Sequence, residues 1–121
     1  MMFNYKVYYV RPEYRRPFTW GYKITKKDLL LPTWQSLEQS HALVRNVWAN
    51  SPETVYDQMQ GEVWSPNGEA RRLIEQLGLW HTSMSIGDIL VERDGNWEGM
   101  LFCDGWDFRT FGEPRNVHKA A

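Results

Sequence analysis

Phe3 to Val10 is rich in aromatic and β-branched residues, with Tyr5, Val7 and Tyr9 on one face and Lys6 and Tyr8 on the other. That content suits a pleated surface, so it predicts a first strand. Pro12 and Pro17 fix φ and withhold amide donors, which makes residues 11–17 a loop carrying Arg15 and Arg16. Phe18 to Ile24 reads as a short second strand broken by Gly21, while Lys26 to Leu37, with Pro32 among its apolar residues, has no clean period. From His41 to Ala49 apolar residues fall on both alternating faces, as Leu43 and Val47 against Val44 and Trp48, the pattern of a strand interior to a sheet.

Ser51-Pro52-Glu53 is a helix start: a hydroxyl for the N-cap, a proline at a position that needs no amide donor, and an acid beside the positive helix end. Val55, Tyr56 and Met59 then recur at helical spacing, which predicts a helix to about Glu62. Ser65-Pro66 repeats the signal, and Ala70, Leu73, Ile74 and Leu77 form the apolar stripe of a second helix. Gly78 ends it in the left-handed position, with Leu79 folding back onto Ile74 in a Schellman motif. Beyond it, Asp88 to Arg93, Asn96 to Cys103 and Trp106 to Phe111 are strand-like runs separated by Asp94-Gly95 and Asp104-Gly105, the turn chemistry of hairpins. The expected fold is α+β: an antiparallel sheet of about five strands, two consecutive short helices on one face, and a C-terminal three-stranded meander. One domain spans residues 1–111, and residues 112–121 are expected to be a flexible tail.

Composition narrows the class. A chain of 121 residues with 42% hydrophobic and 24% charged residues suits a single globular core. The lone Cys103 excludes an internal disulfide and multi-cysteine zinc motifs, so no metal and no cofactor is expected, in a reducing compartment. No apolar run is long enough to span a bilayer and the amino terminus has no signal-peptide core, which places the protein in the cytoplasm and off the membrane. Seven Trp, six Tyr and five Phe are many for one small core, so some rings must reach the surface, where a homodimer is one way to cover them.

The net charge of -1 conceals a division: residues 1–27 hold seven basic groups against one acid, and the remainder holds seven against fourteen. The basic third also carries eight aromatics. Arg11, Tyr14, Arg15, Arg16, Trp20 and Lys23 are therefore a candidate partner or nucleic-acid surface, with rings to stack bases and cations to hold phosphates. No RNP-like sequence or GxxG clamp accompanies them.

The segment from Trp64 to Asp88, WSPNGEARRLIEQLGLWHTSMSIGD, holds the second set of candidates. His81, Thr82, Ser83, Ser85 and Asp88 include the residue types of a nucleophilic triad, but eight successive extended residues do not bring such groups together, and no GxSxG elbow is present. The simpler reading is structural: Met84 and Ile86 point into the core, Gly87 relaxes a turn, and serine and aspartate side chains satisfy free amides. Arg71 and Arg72 read as helical ion-pair partners of Glu69 and Glu75. The sharper alternative is a small-anion site at a helix start, from Asn67, Gly68, Arg71, Arg72 and His81.

The blocks MQGEVWSPNGEARRLIEQLGLWHTSMSIGD and ILVERDGNWEGMLFCDGWDF resemble a family of small, functionally uncharacterised proteins of bacteriophages and plasmids, and the ending is similar to YodL-like proteins of mobile elements. The resemblance spans roughly residues 41–111. It implies a bacterial host cytoplasm as the setting and carries no catalytic residues. Together with the charge division and the aromatic surplus, it leads to the expectation of a non-enzymatic accessory protein that binds a host or phage protein, as a regulator or an inhibitor of host defence. A nucleic-acid-binding module and a small-anion-binding protein are the alternatives.

Overall fold

A computed structural model describes residues 1–118 of the chain. Its centre is one antiparallel sheet of five strands, β1 (Phe3–Val10), β2 (His41–Ala49), β3 (Ile89–Asp94), β4 (Trp97–Asp104) and β5 (Asp107–Asn116), in the order β2-β1-β3-β4-β5. Short helices complete the α+β fold: α1 (Arg15–Phe18), α2 (Tyr22–Lys27), α3 (Leu37–Ser40), α4 (Pro52–Gln58), α5 (Gly61–Trp64) and α6 (Arg71–Gln76).

The meander forms as its turn residues require. Gly95 and Gly105 occupy the first position of two-residue loops with φ of +61° and +84°, which a side chain would strain. Strand β5 continues through Asn116, pairing Arg115 with Glu98 and Asn116 with Trp97. The expected tail is thus structured over residues 112–116, and residues 119–121 lie outside the described part.

Alternation within the strands feeds two cores, one on each face of the sheet. Tyr5, Val7, Tyr9, Leu90, Leu101 and Cys103 join the first. Tyr8, Val10, Ile89, Val91, Met100 and Phe102 join the second. The first face is covered as expected, by α4 and α6. Ser51 caps α4, its hydroxyl accepting the Thr54 amide at 3.2 Å, and Val55, Met59, Ala70, Ile74 and Leu79 turn inward. At the end of α6 the Leu79 amide donates to Ile74 and the Gly78 amide to Glu75, the Schellman pair, with Gly78 at φ +69°. Each large apolar side chain buried here contributes about 1.5–3 kcal/mol.

The helical boundaries differ from the expectation. The first helix ends at Gln58 and a separate turn, α5, follows. The second begins only at Arg71, because residues from Ser65 to Gly68 form a turn instead.

The second face carries a cover that hydrophobic periodicity does not announce. Residues 11–40 fold back across the sheet, placing Phe18 and Leu37 in the core with Tyr14, Tyr22, Leu31 and Trp34 packed around them. Phe18 to Ile24, expected as a strand, is instead the end of α1, a turn at Gly21 and the first half of α2. The Gly21 and Tyr22 backbone rests on Asp104, whose Oδ1 accepts the Tyr22 amide at 3.3 Å.

Strand β2 lies at the edge of the sheet, not in its interior. The register to β1 slips between Val7 and Tyr8, which face Arg45 and Leu43, leaving Val44 as the extra residue of a bulge. The slip changes the phase of the alternation. Ala42 and Val44 before it and Val47 and Ala49 after it therefore all enter the first core, while Leu43 and Trp48 stay exposed. A bulged one-sided strand thereby imitates a two-sided one.

Candidate functional site

The residues from His81 to Asp88 come together: His81 meets the Asp88 carboxylate, while Asp88, Ser83 and Ser85 are engaged with the backbone. Asp88 is fully buried where the segment rejoins the sheet. Its Oδ1 accepts the Val10 amide and its Oδ2 the Ser85 amide, each at 2.8 Å, and His81 Nε2 sits 3.0 Å from both oxygens. Burial pushes the carboxyl above its ordinary range, opposed by His81 and by those two amides. The His81 ring stacks on Tyr9 with centroids 4.5 Å apart, and its buried Nδ1 has no hydrogen-bond partner among the described residues.

Neither serine reaches that imidazole as a nucleophile would. Ser83 Oγ accepts the Gly61 amide at 2.7 Å, and Ser85 Oγ donates to the Ser83 carbonyl at 3.0 Å. The Thr82 carbonyl accepts from the Tyr9 hydroxyl at 2.7 Å and from Trp64 Nε1 at 3.0 Å. Met84 is buried as expected, whereas Ile86 is exposed, not a core residue. Gly87 has φ +99°, and a Cβ there would lie 3.0 Å from Phe18 Cβ, so this glycine permits the second cover to approach the sheet. Cys103 is buried and its thiol is pushed up to about 12 by burial, a poor nucleophile.

The anion site expected near residues 67–72 does not assemble around His81. The Asn67 amide is taken by the Glu69 carboxylate at 3.0 Å, and His81 is committed to Asp88. Gly68 and Arg71 do line one hollow, along with Ser65, Glu75, Trp80 and Thr82. Arg72 is exposed outside it. Among the described residues neither arginine forms the expected ion pair.

The basic amino-terminal surface divides. The Arg11 guanidinium donates to the Glu38 carbonyl at 3.0 and 3.2 Å, which ties down α3, and Tyr14 packs against the second core. Arg15, Arg16 and Trp20 instead line a concavity of about 530 Å³ together with Trp80, Pro12, Glu13 and Thr19. The two rings are 61% and 74% exposed. Two guanidiniums and two wide apolar rings around one hollow can hold an anionic group and clamp an apolar or planar one beside it. Lys23 belongs to a different hollow, with Lys26, Lys27 and Arg109.

Trp80 is the site residue that residue patterns passed over. The signal was present: a Schellman ending turns Leu79 inward, and the next residue then points to solvent. No helix among the described residues is long and apolar enough to cross a membrane. No protein-family model, no curated protein and no solved structure matches the chain.

Proposed function

We propose that this is a non-enzymatic accessory protein of a phage or mobile element, binding a host or phage protein through the concavity of Arg15, Arg16, Trp20 and Trp80, and acting as a regulator or inhibitor of host defence. The observation that carries the binding reading is the meeting of two exposed tryptophans with two arginines at one hollow, although Trp20 and Trp80 lie sixty positions apart. Trp and Arg are the residues on which interface binding energy concentrates. The partner segment is acidic with an apolar anchor, complementing the basic third. A non-catalytic role is supported by the engagement of Ser83 and Ser85 with the backbone. The setting follows from the resemblance of residues 41–111.

The test is affinity capture from bacterial lysate with the wild-type chain and with Trp80→Ala and Arg16→Glu. Both side chains are exposed, so both variants fold, as circular dichroism will verify. Each should lower recovery of a repeatedly captured partner about tenfold or more. Equal recovery by the variants, or no partner in repeated captures, overturns the proposal.

Single-stranded nucleic acid is the second reading, favoured by the same rings as stacking platforms beside cations. It predicts oligonucleotide binding that weakens steeply with salt and is lost in Trp80→Ala. Absence of binding at low salt removes it.

A further inference from the structure

Four cations converge on one hollow, and helix chemistry calls for only two of them. Lys23, Lys26 and Lys27 of α2 and Arg109 of β5, which is remote in sequence, line a hollow of about 480 Å³ with Tyr22 and Asp104. Among the described residues lining it the one carboxylate, Asp104, is already accepting the Tyr22 amide. Among the described residues none of the three lysines has an ion-pair partner, and Arg109 has only Asp107 at 3.6 Å, with both side chains more than half exposed. That last contact is worth little in water.

Lysines at the end of a helix are favoured by its dipole, which accounts for Lys26 and Lys27. It does not account for Lys23, a cation in the first turn of the same helix and three and four positions from the other two, where like charges repel. Lys26 Nζ also stands 5.9 Å from the Tyr22 ring centroid, so the ring helps to orient one ammonium among the lining residues. An anion of several closely spaced charges relieves the repulsion among all four groups at once; a single carboxylate relieves little of it.

We propose that this hollow is a binding site for a condensed phosphate chain, as in a nucleoside triphosphate or inorganic polyphosphate, held by Lys23, Lys26, Lys27 and Arg109. The site is separate from the Trp20–Trp80 concavity and does not rest on the function proposed for it. Arg109 supplies a forked donor and the lysines supply point charges along the chain.

Calorimetric titration of the full chain with sodium tripolyphosphate tests it, with ATP, orthophosphate and a short oligothymidylate as further arms. Tripolyphosphate should bind with an affinity that falls as salt rises, and orthophosphate much more weakly. ATP binding like tripolyphosphate assigns a nucleotide source, and ATP failing where tripolyphosphate binds assigns inorganic polyphosphate. Lys23→Ala and Arg109→Ala, both at exposed positions, should each weaken tripolyphosphate about tenfold, while Arg72→Ala, exposed and outside both hollows, leaves it unchanged. No binding at low salt overturns the proposal, as does equal binding by the two site variants. Oligothymidylate held by these lysines and not displaced by tripolyphosphate overturns it as well.

Discussion

The two covers of the sheet are built on different principles. Over the first core, α4 and α6 bring apolar stripes, a serine cap and a glycine stop, so that each helix is specified by residues within a few positions of one another. Over the second, residues 11–40 contribute only short helices and turns, and their placement depends on partners far along the chain. Examples are Tyr22 on Asp104 and Trp34 on Glu113 and Arg115. A cover made of helices is held by burial; one made of loops needs specific polar anchors to satisfy its backbone. The candidate concavity lies where they meet, with Trp20 from the second cover and Trp80 from the first.

The largest effect should come from breaking the point where the first cover rejoins the sheet. Asp88→Ala strands the buried amide of Val10 and the part-buried amide of Ser85 and removes the partner of His81. Leaving such groups unpaired costs about 3–5 kcal/mol in total. Urea unfolding should show it, and a loss below about 1 kcal/mol would mean that the carboxylate is not the anchor argued here.

His41 is the matching point beneath the second cover. It is fully buried, its Nδ1 2.7 Å from Ser40 Oγ, its Nε2–H donating to the Gly87 carbonyl at 2.8 Å, and its ring edge-on to Phe18. Burial holds its pKa down, from 6.5 to about 4. The unfolded chain therefore binds the proton first as pH falls. The contribution is fully present above 6.5 and is lost between 6.5 and about 4, roughly 3 kcal/mol at about 1.4 kcal/mol per pH unit. Stability measured across that window in the wild type and in His41→Gln should differ in slope. Parallel pH profiles would contradict the assignment.

The same contrast decides what the sequence disclosed. Strand β1, the Ser51 cap, the Gly78 stop and the hairpin glycines are local and were legible. The bulge at Val44 was not, because one inserted residue converts a one-sided pattern into an apparent two-sided one. Phe18 to Ile24 has strand-like composition, yet tertiary contacts of Phe18 and Tyr22 with Phe102 hold it as helix and turn. Of the candidate residues, Ser83, Ser85 and Asp88 proved to serve the backbone, His81 to pair with Asp88, and Arg15, Arg16 and Trp20 to share a hollow with Trp80. Arg109 joined the lysines through β5, a convergence that no spacing encodes.

Arg115 gives the smallest and most selective test of the two covers. Its guanidinium lies 4.1 Å from the Trp34 ring centroid, and its Nε donates to Glu98 at 3.1 Å. Glu98 is only 4% exposed and otherwise has Lys6 at 3.6 Å. Trp34 Nε1 in turn donates to the Glu113 carbonyl at 2.8 Å, so the end of β5 clasps the loop between α2 and α3. Arg115→Ala removes the guanidinium half of the clasp, leaving the Trp34 bond to Glu113 and Lys6 on the acid, and Arg115 is itself partly exposed, so about 1–2 kcal/mol should be lost. Hydrogen exchange should then quicken in residues 28–36 and remain slow in α4 and α6, since the first cover shares none of these contacts. Uniform acceleration across both covers would show that the two are one cooperative layer and that the distinction between them is only architectural.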